Sequence, residues 1–139
     1  MTDEITELSC NLDDMSPEGI GFAMEVLLNE GALDVFTTAI GMKKSRPGTM
    51  LTCLCKPGDS EKMARLIFKH TTTLGIRESR CRRYTLERSF TEAETEYGPV
   101  RIKHVEGWGT EREKAEYEDL AKIAREQGLS LEEARRLLK

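Results

Sequence analysis

The sequence predicts an α+β fold with a β-α-β-β-α-β core. Three observations carry that expectation: an alternating strand that runs into a capped helix, two apolar strands joined by a basic turn, and a second amphipathic helix followed by an arginine-rich strand. At 139 residues the chain suits one domain with a real core. Its 38% hydrophobic content with 11 glycines is ordinary for a globular protein.

Thr6, Leu8, Cys10 and Leu12 alternate with Glu7, Ser9, Asn11 and Asp13, the period-2 pattern of a half-buried strand. Ser16 is a suitable N-cap, Pro17 suits the first helical position, and Glu18 complements the helix dipole. Ile20, Ala23, Met24 and Leu27 then recur at helical spacing toward Gly31, which predicts a helix over 17–30. Leu33 to Met42 and Thr49 to Cys55 read as strands of a hairpin, turning through Lys43 to Gly48 with Pro47-Gly48 as punctuation. Asp59 or Ser60 can cap a second helix with Met63, Leu66 and Ile67 on one face, ending near Thr71 to Gly75. A fourth strand is expected within Gly75 to Leu86, a segment made basic by Arg77, Arg80, Arg82 and Arg83.

This order is the split βαβ arrangement of ferredoxin-like folds. With right-handed crossovers, three connections fall on one sheet edge: Asp13 to Pro17, Lys43 to Gly48, and Thr71 to Gly75. Acidic, basic and hydroxyl groups therefore converge. Beyond this core, Phe90 to Glu96 and Val100 to Val105 predict a second hairpin, Gly107 to Thr110 a loop, and two helices follow from about Ala115 and after Ser130, the latter with Ser130 and Glu133 as a capping box. Residues 1–88 thus read as a ferredoxin-like core, and residues 89–139 as a hairpin and helical extension of the same domain.

The net charge of -4 argues against generic nucleic-acid or anionic-membrane binding. No apolar run reaches the length of a membrane span, and the acidic start Met1-Thr2-Asp3-Glu4 is unlike a secretory signal, so a cytoplasmic protein is expected. Cys10, Cys53, Cys55 and Cys81 all lie in strand-like segments without CxxC spacing and read as reduced, buried thiols. The Cys53-x-Cys55 spacing could present two thiolates to nickel, with burial as the alternative. His70 and His104 are isolated in sequence and read as structural.

Asp13, Asp14 and Glu18 could hold a hard cation such as magnesium or manganese, since such ions take carboxylate oxygens and keep positions open for phosphates. The same acids could simply cap a helix. Lys43, Lys44 and Arg46 could bind a triphosphate, with the alternative of a solvated hairpin tip. Thr71, Thr72 and Thr73 could donate to an anion or merely end a helix. The arginines from Arg77 to Arg88 could meet an anionic ligand or a solvated face. Tyr117 could stack on a base or pack on the core. Walker A, GxGxxG, nucleophile-elbow and HExxH motifs are absent from the sequence, and no catalytic residue is identified.

Taken together, Asn11-Leu12-Asp13-Asp14-Met15-Ser16-Pro17-Glu18, Gly31-Ala32-Leu33-Asp34-Val35-Phe36, Met42-Lys43-Lys44-Ser45-Arg46-Pro47-Gly48, Thr71-Thr72-Thr73-Leu74-Gly75-Ile76-Arg77 and Glu116-Tyr117-Glu118-Asp119 resemble the C-terminal domain of the LarC family of nickel insertion proteins. The resemblance runs from about Glu7 to Leu129. It implies a CTP-dependent cyclometallase, a nickel chelatase of the lyase class. Such an enzyme inserts nickel into a pyridinium bisthiocarboxylate mononucleotide to make the nickel-pincer cofactor of lactate racemase. The implied steps are cytidylylation of the mononucleotide phosphate, then nickel insertion with carbon-nickel bond formation and release of CMP. By carry-over, Asp13 and Asp14, with Glu18 nearby, would meet Mg or Mn bound to CTP; Lys43, Lys44, Arg46 and Arg77 would hold its phosphates, with Thr72 and Thr73 as supporting donors. The partners implied are CTP, the pyridinium mononucleotide and the N-terminal nickel-binding domain of the parent protein, which carries a histidine-rich stretch. A homo-oligomer, trimer or hexamer, is also expected. Ala115 stands where the family pattern would have proline. The alternative is a regulatory or oligomerisation module that binds a small anion without catalysis.

Overall fold

The computed structural model describes residues 1–138. The chain divides into two compact units, one of Thr2–Arg83 and one running from Tyr84 onward together with Met1. The division falls ahead of residue 88, because the strand that opens the second unit already begins at Glu87.

In the first unit, β1 (Thr2–Leu12), β2 (Asp34–Met42), β3 (Arg46–Cys55) and β4 (Arg77–Tyr84) form one sheet in the order β2-β3-β1-β4. β3 runs antiparallel to both β1 and β2, with Cys10 opposite Leu51 and Thr37 opposite Leu51. With α1 (Pro17–Asn29) and α2 (Ser60–His70) as the crossovers, this is the expected ferredoxin-like core. The predicted alternation of β1 holds: Thr6, Leu8, Cys10 and Leu12 are buried. Leu8, Cys10 and Leu12 meet Val35, Leu51, Cys53 and Cys55 from the sheet and Ile20, Leu27, Met63 and Ile67 from the helices in one core. Ser16 caps α1 by accepting from the Gly19 amide at 3.1 Å, and Gly31 at φ 105° ends the segment in a conformation that suits glycine.

Two local readings are corrected. The β2–β3 turn is a 3-10 turn over Lys43–Ser45, and Pro47 and Gly48 lie inside β3 opposite Gly41 and Ile40. A Cβ on Gly48 would collide with the Met42 side chain and come within 3.1 Å of the Leu12 carbonyl oxygen, so glycine there permits close packing of strands. Helix α2 is preceded by a 3-10 turn, Pro57–Asp59, and neither Asp59 nor Ser60 caps it with a side chain; the Ser60 hydroxyl donates to the Pro57 carbonyl at 2.9 Å instead.

The second unit holds a three-stranded antiparallel sheet, β5 (Glu87–Thr95), β6 (Gly98–Gly107) and β7 (Thr110–Ala115), followed by α3 (Tyr117–Gln127) and α4 (Leu131–Arg136). Thus the expected hairpin carries a third strand, and the stretch read as a loop is its tight turn at Trp108 (φ 52°) and Gly109 (φ 75°). Positive φ at both central residues matches the twist of antiparallel strands. Ala115 ends β7, so α3 starts later than expected. Val100, Leu120, Ile123 and Ala134 form a separate small core. Ser130 and Glu133 make the expected capping box on α4.

Asp119, in the first turn of α3, accepts from the Arg101 amide at 2.9 Å and from its Nε at 3.0 Å. These bonds hold its carboxyl below the ordinary value of 3.8. A carboxyl with a lowered folded-state pKa contributes stability that is present above the ordinary value and is lost as pH falls through the lowered one. Asp119→Asn should therefore lower the urea midpoint at pH 7, with the difference from wild type closing as pH drops below about 4. An unchanged gap at acid pH would contradict this.

Candidate functional site

The edge at the C-terminal end of β1 brings the predicted groups together. Arg46, at the start of β3, lies 3.6 Å from Asp13 (Nη1 to Oδ2). Thr72, just after α2, donates its hydroxyl to the Asp14 carboxylate. Arg77, at the start of β4, donates from Nη2 to Asn11 Oδ1 at 3.1 Å and also lies 3.5 Å from the Met50 sulfur. All three connections named from the sequence thus meet at one edge. The cause is topological: β1 and β2 end there, and β4 starts there.

Asp13 and Asp14 are each engaged by a predicted phosphate-binding partner rather than by another acid. Asp13, Asp14 and Glu18 are exposed and do not gather into a three-ligand group. Glu18 sits in the first turn of α1, beside Pro17. Lys43 and Lys44 are exposed at the turn without an ion-pair partner among the described residues. Lys44 (φ 63°) and Ser45 (φ 58°) are consecutive non-glycine residues in left-handed backbone, a costly conformation that concentrates at ligand-binding turns. The threonine segment is internally tied: the Thr71 hydroxyl donates to the Ile67 carbonyl at 2.7 Å, and the Thr73 hydroxyl to the Gly75 carbonyl at 2.8 Å. Next to this edge, Met15, Pro17, Ile20, Gly21, Met24, Thr37 and Thr49 line a cavity of about 220 Å³.

Beneath the edge, burial pushes the Cys10 thiol up, against a hydrogen bond with Thr73 and the charge of Arg77. Cys53 and Cys55 are both 0% exposed, and burial, then the neighbouring Cys55, pushes the Cys53 thiol up to about 12. The pair is therefore held as buried thiols. Cys81 differs from the expectation for all four: it is only half-buried and lies between arginines in β4. Maleimide at pH 8 should label Cys81 in the native protein and the other three only on unfolding, read by intact mass. Fast native labelling of Cys53 would overturn this.

His104, read as isolated, has acquired three neighbours. Its Nε2 lies 3.7 Å from Glu106 and 3.5 Å from Glu111, and its Nδ1 lies 3.3 Å from Glu113. His104, Glu106 and Glu111 could offer one donor atom each to a cation, all within 4.8 Å of one another. Placing Glu111 and Glu113 required recognising β7. Its signal was present as alternating charge: Glu111 and Glu113 take one face, Arg112 and Lys114 the other.

Residues 1–135 match the model of the family described as "Nickel insertion protein". The chain belongs to this family. A relative from Acetivibrio thermocellus, named "Pyridinium-3,5-bisthiocarboxylic acid mononucleotide nickel insertion protein", is 44% identical over 124 residues, which are 89% of this chain and 30% of the relative. A family member from Pelobacter propionicus is 43% identical over 139 residues, 99% of this chain and 36% of its own length. The chain spans about a third of the length of these relatives. Among solved structures, "LarC2, the C-terminal domain of a cyclometallase involved in the synthesis of the NPN cofactor of lactate racemase, apo form" superposes with TM-score 0.92 at 36% identity, covering 99% of this chain and 95% of that one. A Methanopyrus kandleri protein, MK0293, reaches TM-score 0.74 at 27% identity over 96% of this chain and 85% of its own. Family membership agrees with the resemblance drawn from the five sequence segments.

Among the described residues, no helix is long and apolar enough to cross a membrane.

Proposed function

We propose that this chain is the CTP- and divalent-metal-binding domain of a nickel chelatase, a cyclometallase that inserts nickel into a pyridinium bisthiocarboxylate mononucleotide. The observation that carries the reading is the convergence of Asp13, Asp14, Arg46, Thr72 and Arg77 on one sheet edge in a member of the nickel insertion family. Lys43, Lys44, Arg46 and Arg77 would bind the triphosphate, and Thr72 and Thr73 would add hydroxyl donors. Arg offers a paired fork to phosphate oxygens and each Lys a mobile charge.

The donor set suits magnesium or manganese, because Asp13 and Asp14 supply hard oxygen ligands beside the cations that would hold a triphosphate. Glu18, in the first turn of α1, would be a further carboxylate. Such an ion would neutralise triphosphate charge. Asp13 pairs with Arg46 and Asp14 accepts from Thr72, and both carboxylates would turn to the cation. When metal-CTP binds, Arg46 exchanges a carboxylate for phosphate and Thr72 is released as a donor. The apolar-walled cavity beside α1 suits the base and ribose.

In this reading the mononucleotide phosphate attacks the α-phosphorus of CTP and pyrophosphate leaves; nickel, as cargo, then enters the activated substrate, and water releases CMP. The chain would work with an N-terminal nickel-binding domain and in a cytoplasmic homo-oligomer.

Calorimetric titration with CTP, ATP and GTP, with and without manganese, tests the proposal. Saturable, metal-dependent binding of CTP is expected. An absence of such binding, or equal binding by Asp13→Ala/Asp14→Ala, would sink it.

A further inference from the structure

We propose that the outer face of the β5–β6–β7 sheet binds the pyridinium mononucleotide itself, an aromatic cation carrying acid groups and a phosphate. This rests on the reading that the chain handles such a substrate. In the register, Arg88 faces Val105, which faces Arg112, and the next row on the same face sets Phe90 beside Lys103 and Lys103 beside Lys114. Four cations and two apolar residues thus form a compact grid. Leu86, Lys103, Val105, Arg112, Glu113 and Lys114 line a cavity of about 390 Å³ there, within the ordinary range of small-ligand sites of roughly 300–1,000 Å³.

The charge arrangement is the reason to assign a ligand. Lys103 and Lys114 are directly opposed, a destabilising placement for like charges, with Arg112 one row away. None of Arg88, Lys103, Arg112 and Lys114 has an ion-pair partner among the described residues. Glu113 reaches the cavity rim, yet its carboxylate is engaged with His104 at 3.3 Å. Glu87, Glu106, Glu111 and Glu113 lie on the opposite face, in the rows next to and including Ser89 and His104, while Glu92 and Glu94 lie farther along the cationic face, Glu92 opposite Arg101. In a chain of net charge -4, the two adjoining rows Arg88–Val105–Arg112 and Phe90–Lys103–Lys114 hold four cations and no carboxylate. An anionic ligand relieves that repulsion.

The identity of the anion follows from Phe90, which is 55% exposed on the same face. A free phosphate would use the cations and leave the phenyl ring idle. A pyridinium ring can stack on it as an aromatic cation, while its acid groups and phosphate meet the lysines and arginines. A nucleic-acid strand would need a wider basic track with more aromatic residues than one.

Nicotinate mononucleotide, a pyridinium mononucleotide with one ring carboxylate, is the probe, titrated into the full chain by calorimetry and by amide chemical-shift mapping. Saturable binding with shifts centred on Phe90, Lys103 and Lys114 is expected, and nicotinamide mononucleotide, lacking the carboxylate, should bind less tightly. Lys103→Gln/Lys114→Gln should weaken binding by about tenfold, and Phe90→Ala should weaken it separately, with the native circular dichroism retained. No saturable binding, binding unchanged in either folded variant, or displacement by a single-stranded oligonucleotide that binds more tightly would overturn the assignment. Manganese-CTP binding, measured on the same samples, should be unaffected by these substitutions. Failure of CTP binding with retention of the mononucleotide refutes the triphosphate site alone; the converse refutes this site alone.

Discussion

Lys43→Ala/Lys44→Ala/Arg46→Ala is expected to weaken manganese-dependent CTP binding on the order of 10²–10³-fold, because up to three charge-assisted contacts to phosphate disappear together. The stability change should stay within about 1 kcal/mol. The 3-10 turn has no buried residue, and the Arg46–Asp13 pair is exposed, so little packing is lost. Calorimetry and urea unfolding on the same preparation separate the two effects. Binding that survives within about threefold would remove the turn from the phosphate site.

Leu51→Ala should produce the largest loss of stability, about 3 kcal/mol by urea unfolding. Leu51 is 0% exposed on the central strand β3, between Cys10 on β1 and Thr37 on β2. Truncation leaves a cavity where the sheet meets the core helices, and the neighbouring backbone cannot collapse without breaking ladder bonds. For a unit of this size the midpoint of thermal unfolding should fall by about 10–20 °C. A loss below about 1 kcal/mol would mean the core repacks more freely than its burial implies.

Much of the candidate site was legible because its parts are local and punctuated. The alternation of Thr6 to Leu12, the Ser16 cap and the periodic helices each depend on short-range rules, and together they dictate an element order with one favoured topology. Once that topology was granted, the meeting of Asp13 with Arg46 and of Asp14 with Thr72 followed from which strand ends share an edge. The turn was misplaced because proline and glycine usually mark turns, whereas Gly48 serves close strand packing and Lys44 and Ser45 carry the reversal. β7 was missed because its alternation is of charge sign rather than hydrophobicity.

By itself, the sequence determined the ferredoxin-like core, the capped junction at Ser16, and the edge on which acids, lysines and threonines assemble. These follow from periodicity, caps and the handedness of crossovers, all readable along the chain. Only the tertiary structure decided that Asp13 and Asp14 pair with Arg46 and Thr72 rather than gather with Glu18. It alone decided, too, that β7 joins the second sheet and sorts Arg112 and Lys114 to one face and Glu111 and Glu113 to the other. The reason is that side-chain pairing and strand register depend on atoms distant in sequence, whose positions no local rule specifies.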